Sequence, residues 1–136
     1  MNTAPPWRLP IMGWVLGLAI ATQATPAAAA AAGEAIYERC QACHAIDANR
    51  TGPQHCGLFG RRAGQAPGFT AYSDALKASG IVWSRHTLDT FLRAPMQAVP
   101  GTTMGYAGIQ YEQERRVLID WLQQATQAGK RCSLAR

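Results

Sequence analysis

The chain has 136 residues, with 13 lysines and arginines against 8 aspartates and glutamates, and 48% of its residues are hydrophobic. This hydrophobic content excludes an intrinsically disordered chain, because enough apolar surface is available to offset the entropy of folding. The formal charge of +5 is small and no basic run exceeds two residues, so nucleic-acid binding is not indicated. The length fits one domain and excludes an enzyme with separate cofactor and substrate domains.

The first part of the chain has the composition of a secretory signal peptide. Arg8 is the only charged residue among the first 33, an apolar stretch runs from residue 9 to residue 21, and alanines fill residues 27–32. A positive start, a short apolar segment and small residues are the three parts of such a signal. We predict a signal peptide over residues 1–32, cleaved between Ala28 and Ala32.

A retained membrane anchor is the alternative to cleavage. The apolar stretch has 13 residues and contains one proline and two glycines, whereas a membrane-spanning helix needs ~20 apolar residues. We therefore predict that a mature domain at residues 33–136 is exported to the periplasm, where disulfide bonds persist. No stable membrane insertion is expected after cleavage.

Hydrophobic spacing in the mature domain predicts four helices, and no segment shows the alternation of a strand. The first helix is expected from about Glu34 to Cys43, with Gly33 at its start. The last is expected from residue 112 to residue 128, with acidic residues in its first turn and Gly129 after its end. Its apolar stripe consists of Val117, Leu118, Trp121, Leu122 and Ala125.

Two shorter helices are predicted between these. Ser73 is placed to cap a helix that Gly80 closes, and Ser84 is placed to cap another that ends at Ala94, since a proline follows. The buried stripe of the second consists of Leu88, Phe91 and Leu92.

The segment from residue 45 to residue 72 is rich in glycine and proline and predicts a long irregular loop. Such a loop is uncommon in a small domain. It becomes reasonable if the chain wraps a bound group that replaces part of the protein core. The predicted fold is thus an all-α domain with long loops around a cofactor.

Residues 40–44 read Cys-Gln-Ala-Cys-His, the attachment motif of a c-type haem. Two thiols three residues apart on a helix lie on one face, within reach of the two vinyl groups along one haem edge. The imidazole of His44 can then stand over the haem plane and bind the iron. We predict one covalent haem c, attached through Cys40 and Cys43 with His44 as an axial ligand.

Three other interpretations of this motif remain open at this point. A thioredoxin-type dithiol requires a preceding strand, which the sequence does not predict. A zinc site would add His55 and Cys56 to the two cysteines but would leave His44 without a role. A disulfide between Cys40 and Cys43 would close a strained, small ring.

Met104 is the candidate for the second axial ligand. It follows a turn formed by Pro100 and Gly101, in which Thr102 can form a hydrogen bond. A thioether opposite an imidazole raises the reduction potential of the iron, which suits an electron carrier. The alternative is that Met104 only fills a gap in the core, and Met96 stands in a less constrained place.

Five further motifs are Thr51-Gly52-Pro53, Gly57-Leu58-Phe59-Gly60-Arg61, Gly64-Gln65-Ala66-Pro67-Gly68-Phe69, Pro100-Gly101-Thr102-Thr103-Met104 and Ala107-Gly108-Ile109. With the haem motif, their order and spacing resemble class I cytochromes c, near the mitochondrial-type and bacterial cytochrome c2 branch. The resemblance covers about residues 33–128. It implies the class I fold, with three to five helices and long loops around one haem, and it implies that Met104 binds the iron.

The resemblance also implies roles for neighbours of the haem. The carbonyl oxygen of Pro53 would accept the ring N–H of His44, and Thr102 would bond near Met104 and a haem propionate. The residues that resemble those holding the buried propionate are Arg61, Tyr72 and Trp83. The residues that resemble the close crossing of the first and last helices are Gly33, Tyr37 and Trp121.

Several haem neighbours depart from the family pattern. Leu76 and Phe91 stand where the family often has Asn and Tyr, which predicts a drier distal side. His55 stands where an apolar haem contact is usual, and we expect a partly exposed neighbour of the loop rather than an alternative ligand. His86, near a helix start, is expected to be solvated.

The lysines that commonly surround the docking edge in the family are sparse here. The residues in their places are Met96, Thr103 and Gln110, while Arg39 and Arg50 keep part of the charge. Positive charge at a redox edge attracts an acidic partner, so we expect a weaker salt dependence and a more apolar contact.

Cys56 and Cys132 have no counterpart in the family pattern. In an oxidising compartment, a spare pair of cysteines suggests a disulfide, here between the loop after His44 and the chain beyond the last helix. Two unpaired thiols or an intermolecular bond are the alternatives.

These expectations describe a monomeric, monohaem electron carrier that docks transiently to donor and acceptor redox proteins and carries no catalytic residue. An enzyme or gas sensor with an open iron position is one alternative. A haem subunit fixed within a larger redox complex is another.

Overall fold

The computed structural model describes Met1, residues 25–129 and Cys132. Within these residues the chain forms helices and loops and no strand, apart from one isolated antiparallel bridge between Arg62 and Val82, so the predicted all-α fold is confirmed. The helical elements are α1 (Pro26–Tyr37), a 3₁₀ turn (Glu38–Cys40), α2 (Asp74–Ala78), α3 (Arg85–Arg93), α4 (Pro95–Ala98) and α5 (Glu112–Ala125).

The first helix begins and ends earlier than the sequence predicts. α1 starts at Pro26 rather than near Glu34, because the Thr25 side chain caps its first turn and the alanines that follow have the highest helix propensity. The helix tightens into the 3₁₀ turn at Glu38. The cysteine motif therefore lies on a turn at the helix end and not within a regular helix.

α1 crosses α5 at Gly33, which lies inside the helix and not at its start. A Cβ atom on Gly33 would overlap the side chain of Trp121, so only glycine allows the two helices to approach this closely. The Tyr37 ring packs on Trp121 with ring centroids 4.8 Å apart, and both side chains are buried. The close crossing that the family resemblance implies is present.

α2 and α3 begin where the sequence predicts. The Ser73 side chain caps α2, and Gly80 follows that helix with φ +69°. Ser84 and Thr87 form a capping box at the start of α3. The buried residues of α3 are the predicted Leu88, Phe91 and Leu92. The sequence does not predict α4, because a four-residue helix is too short to show a periodic pattern.

α5 ends at Ala125 rather than at residue 128. Its predicted apolar stripe packs inward, with Val117 and Ala125 half-buried and the other members buried. Ile119 is also buried, with 3% of its surface exposed. The buried face of α5 is therefore wider than the predicted stripe.

Arg115 is a buried cation between α3 and α5, with 3% of its surface exposed. Its Nε donates to Oδ1 of Asp89 on α3 at 2.7 Å. One terminal nitrogen donates to the carbonyl oxygens of Ile109 (2.8 Å) and Gln110 (3.0 Å). Because the charge is paired and its donors are used, Arg115 can tie both helices to the segment that precedes α5.

Among the described residues, no helix is long and apolar enough to cross a membrane. The apolar stretch of residues 9–21, with most of the predicted signal peptide, lies outside the described residues. The predicted cleavage region, residues 28–32, lies in α1 and is exposed. The division into a signal peptide at residues 1–32 and a domain at residues 33–136 stays a prediction.

The pairing of Asp89 with Arg115 predicts a pH-dependent contribution to stability. The hydrogen bond from Arg115 lowers the pKa of the Asp89 carboxyl below its usual range. A carboxyl with a lowered folded-state pKa stabilises the fold above its unfolded pKa, and the contribution is lost as the pH falls through the folded pKa. We expect Asp89→Asn to lower the free energy of unfolding by about 2–3 kcal/mol near neutral pH, and the difference to shrink below pH ~4.

Denaturant unfolding near neutral pH and near pH ~3.5 measures this difference. The control is Asp74→Asn, which removes an exposed carboxylate paired with Lys77 and should change stability much less. An Asp89→Asn effect of equal size at both pH values would contradict the assignment to the carboxylate charge.

Candidate functional site

A cavity of about 530 Å³ lies between the long loop, α3 and the segment around Met104. This volume is within the range of cofactor and ligand sites. The residues predicted to hold or surround the haem all line it: Cys40, Cys43, His44, Pro53, Arg61, Tyr72, Trp83, Thr102 and Met104. The loop over residues 45–72 wraps this cavity, as the sequence predicts for a chain whose core is partly replaced by a bound group.

Cys40 and Cys43 lie at one edge of the cavity. The backbone N–H groups of Cys43 and His44 donate to the carbonyl oxygen of Cys40 at 3.1 and 2.9 Å, which continues the turn and keeps the three side chains on one side. Cys40 is half-buried and Cys43 is exposed, and the two form no disulfide with each other. Burial raises the pKa of the Cys40 thiol to about 11, which disfavours a thioredoxin-type thiolate.

The imidazole of His44 is fixed by the loop that follows it. Its Nδ1 lies 2.8 Å from the carbonyl oxygen of Pro53. A carbonyl can only accept, so Nδ1 carries the hydrogen and Nε2 keeps its lone pair. A Cβ atom on Gly52 would overlap the ring, so glycine is required beside it. Burial lowers the pKa of His44, which favours the neutral form that a metal ligand needs.

His55 is partly exposed, as expected, and its ring lies against that of His44. The two imidazole rings stack with centroids 4.5 Å apart and an interplanar angle of 22°. Nδ1 of His55 is hydrogen-bonded to the hydroxyl of Tyr37 at 3.0 Å. Burial, followed by the repulsion that a protonated His44 and the Arg61 guanidinium would exert, lowers the pKa of His55 to about 3. The hydrogen bond between Tyr37 and His55 could not be predicted from the sequence, because the two residues are far apart along the chain.

Arg61 provides a positive charge in the cavity wall. Its two terminal nitrogens donate to the carbonyl oxygens of Cys56 (2.7 Å) and Gln54 (3.0 Å). Its Nε is buried and has no hydrogen-bond partner among the described residues. A buried donor on a charged group calls for an acceptor. Arg61 therefore fits an anionic group in the cavity, such as a propionate.

Trp83 and Tyr72 lie beside Arg61. The backbone N–H of Trp83 donates to the carbonyl oxygen of Arg61 at 2.9 Å, and the buried Trp83 ring packs edge-on against Phe91. The hydroxyl of Tyr72 accepts a hydrogen bond from the backbone N–H of Ala66 at 3.0 Å. Both side chains are thus held at the wall where an anion would meet Arg61.

Met104 lines the cavity and lies on the segment between α4 and α5. Gly101 has φ +89°, which forms the turn before it. The Thr102 backbone N–H donates to the carbonyl oxygen of Val99 (3.0 Å), and the Thr102 hydroxyl accepts from the Met104 backbone N–H (3.3 Å). Met104 packs against the core, whereas Met96 is 57% exposed. The structure therefore favours Met104 over Met96 as the sulfur that can meet a bound group.

Leu76 and Phe91 supply apolar side chains to the cavity wall. Neither side chain can hold a water molecule by a hydrogen bond, and the drier distal side stays a prediction. His86 is exposed on α3, as expected.

The structure contains a disulfide between Cys56 and Cys132, with Cα atoms 5.5 Å apart. It ties the loop after His44 to the chain beyond α5, where the backbone N–H of Gly57 also donates to the carbonyl oxygen of Thr126 at 2.8 Å. The alternative zinc site would lack one of its four ligands, because the Cys56 sulfur is bonded to that of Cys132. No group of three or more His, Cys, Asp or Glu residues within the described part of the chain could hold a metal ion.

Sequence and fold both match known proteins. A family model described as Cytochrome c matches residues 30–126. Cytochrome c2 of Blastochloris viridis is 42% identical over 123 residues, which cover 86% of this chain and 96% of that protein. Cytochrome c-550 of Bradyrhizobium diazoefficiens is 42% identical over 104 residues, which cover 74% of this chain and 76% of that protein. The solved structure of cytochrome cH from Methylobacterium extorquens matches with a TM-score of 0.67 and 41% identity, over 70% of this chain and 97% of that chain.

The disulfide predicts a large loss of stability when it is removed. It joins residues 76 positions apart, and in the chain-entropy model such a cross-link stabilises the fold by about 4 kcal/mol. We expect the double variant Cys56→Ala/Cys132→Ala to lose about this much free energy of unfolding. Intact mass spectrometry of the unfolded protein should show a gain of two hydrogen atoms on reduction in the wild type and none in the variant. A wild-type mass that reductant leaves unchanged would contradict the bond.

Proposed function

Since this chain belongs to the cytochrome c family, whose members are electron carriers with a covalently attached c-type haem, we propose that it carries one electron at a time on a single haem. In this proposal Cys40 and Cys43 hold the haem through thioether bonds, and His44 and Met104 bind its iron from opposite sides. The arrangement of these four side chains around one cavity is the observation that carries the proposal.

The cavity fits such a group on three counts. His44 presents an unprotonated Nε2, because Nδ1 is held by Pro53. Arg61 has a buried Nε that needs an acceptor. Gly52 leaves room for the imidazole where any side chain would overlap it. When bound, the haem supplies a ferric–ferrous couple, and a thioether opposite an imidazole raises its reduction potential.

The chain's own residues hold the geometry that an electron carrier needs. The Pro53 carbonyl fixes the orientation of His44, and the Thr102 hydroxyl fixes the turn that carries Met104. Ligands held in this way change little between oxidation states. If His44 and Met104 both hold the iron, as proposed, no ligand position would remain for a substrate, and we therefore propose a carrier and not an enzyme or gas sensor.

We place this carrier in the periplasm as a monomer that docks transiently to its electron donor and acceptor. The signal-like composition of residues 1–32 supports export. The Cys56–Cys132 disulfide supports an oxidising compartment.

The docking edge in this proposal lies near Cys40, Cys43, Met104 and Tyr106, where Cys43 is exposed. Of the two arginines that keep charge near it, Arg39 is paired with a carboxylate, whereas Arg50 donates to the carbonyl oxygen of Gln41 at 2.8 Å. Arg39 donates two hydrogen bonds to the carboxylate of Glu114, at 3.2 and 2.7 Å. An apolar, uncharged face of a redox protein complements such an edge better than an acidic one does.

Met104→Ala tests the axial ligand. We expect the ferric wild type to show the weak far-red absorption band of methionine-ligated haem, and the variant to lose it completely. The variant should also have a lower reduction potential and bind cyanide rapidly, because a coordination position becomes open.

Met96→Ala is the matched control and should leave the band, the potential and the cyanide reaction unchanged, since Met96 is exposed. If ferric wild-type protein is high-spin and binds cyanide at once, the carrier function is wrong and the open-site alternative stands.

The sparse charge at the docking edge predicts a weak dependence on ionic strength. We expect the rate of oxidation of the ferrous protein by ferricyanide, a trivalent anion, to fall less than about tenfold between ~0.01 and ~0.5 M ionic strength. The variant Met96→Lys/Thr103→Lys adds charge beside the edge and should show a steeper fall. Stopped-flow absorbance measures both rates. Equal slopes for the two proteins would contradict a docking edge near these residues.

A further inference from the structure

Three aromatic rings are in contact on the His44 side of the cavity, those of Tyr37, His55 and His44. The Tyr37 hydroxyl is hydrogen-bonded to Nδ1 of His55 at 3.0 Å. The His55 ring stacks on the His44 ring, with centroids 4.5 Å apart. The resemblance places an apolar haem contact at this position and gives a histidine no role there.

The backbone that carries His55 is fixed on both sides. The His55 N–H donates to the carbonyl oxygen of Ile46 at 3.0 Å, and the Cys56 N–H donates to the same oxygen at 2.7 Å. Cys56 is also held by its disulfide to Cys132. The His55 ring is therefore a fixed surface against which the His44 ring lies.

This surface limits the tilt of the His44 ring, which the hydrogen bond to Pro53 alone does not fix. That bond fixes the position of Nδ1 of His44 but does not by itself fix the tilt of the ring about this atom, and Gly52 has no side chain that could press on the ring. A contact on the face of the ring restricts this tilt. The tilt sets the direction of the Nε2 lone pair, and thus how the imidazole meets a metal.

Tyr37 fixes His55 in turn. The Tyr37 ring packs on Trp121 at the crossing of α1 and α5, and its edge meets the His55 ring with centroids 5.7 Å apart. The orientation of His44 is thereby connected to the most closely packed part of the fold.

We propose that His55, oriented by Tyr37, is a positioning residue that fixes the plane of the His44 imidazole against the haem. This inference rests on the proposed function, since it takes His44 as an iron ligand. An apolar side chain at position 55 would fill similar space, but it would offer neither an aromatic face to His44 nor a hydrogen bond to Tyr37.

Proton NMR of the ferric holoprotein tests the inference, because the order and spread of the haem methyl resonances report the orientation of the axial ligand planes. His55→Leu removes the ring, His55→Phe keeps a ring without the hydrogen bond, and Tyr37→Phe removes only the hydroxyl. His86→Leu is the matched control, because His86 is exposed on α3.

We expect His55→Leu to change the order or spread of the methyl resonances, and His55→Phe and Tyr37→Phe to cause smaller changes. The double variant Tyr37→Phe/His55→Leu should match His55→Leu alone, because Tyr37 acts through His55. His86→Leu should match the wild type. A merely structural role of His55 would lower the thermal stability without moving the resonances.

The inference is overturned if the resonances of His55→Leu and Tyr37→Phe both superimpose on those of the wild type, or if the effects of the two substitutions add. If His55→Leu does not fold, His55→Phe and Tyr37→Phe decide the matter. The proposed function is judged on the wild type alone, by its covalent haem and far-red band. Their absence overturns both, whereas their presence with unmoved resonances overturns only the role of His55.

Discussion

The hydrogen bond from Nδ1 of His44 to the carbonyl oxygen of Pro53 is the interaction on which the site depends, because it determines which imidazole nitrogen is free to bind a metal. The bond requires the loop to return to the cysteine motif. The Gly52 N–H donates to the carbonyl oxygen of Cys43 at 2.7 Å, which closes the loop, and the absence of a side chain on Gly52 leaves space for the ring. Because the loop closes in this way, the Pro53 carbonyl lies beside His44 and sets the direction in which Nε2 of His44 points.

Much of the hydrophobic core lines the cavity, so the walls of the cavity depend on contacts that hold the surrounding elements together. The helix crossing at Gly33 brings α1 against α5. Arg115 joins α5 to α3 through Asp89, and the disulfide of Cys56 joins the long loop to the chain beyond α5. These contacts surround the site and hold its walls, and a covalently attached group adds an apolar surface for the same walls to pack on.

Features that depend on local pattern could be predicted from the sequence. Distant contacts could be predicted only where a spare pair of cysteines or the family resemblance indicated them, as for the Cys56–Cys132 bond and the helix crossing at Gly33. The caps at Ser73 and Ser84 follow from residue type and spacing, and so does the haem motif. The burial of Arg115 could not be predicted, because arginine is normally exposed and its partner lies on another helix. The early start of α1 at Pro26 could not be predicted for another reason, because an alanine run is typical both of a helix and of the end of a signal peptide.

The two sides of the cavity differ in a way that bears on electron transfer. On the His44 side, the Pro53 carbonyl accepts a hydrogen bond from the ring and the His55 ring stacks on it. The wall formed by Leu76 and Phe91 is apolar, so in the proposed function it would solvate a charged oxidised iron poorly. An apolar surrounding of this kind would favour the reduced state. The hydrogen bond from His44 to Pro53 would at the same time keep the ligand direction fixed. In this proposal the departures at Leu76 and Phe91 therefore raise the affinity of the haem for an electron, while the contacts on the His44 side keep its ligand in place.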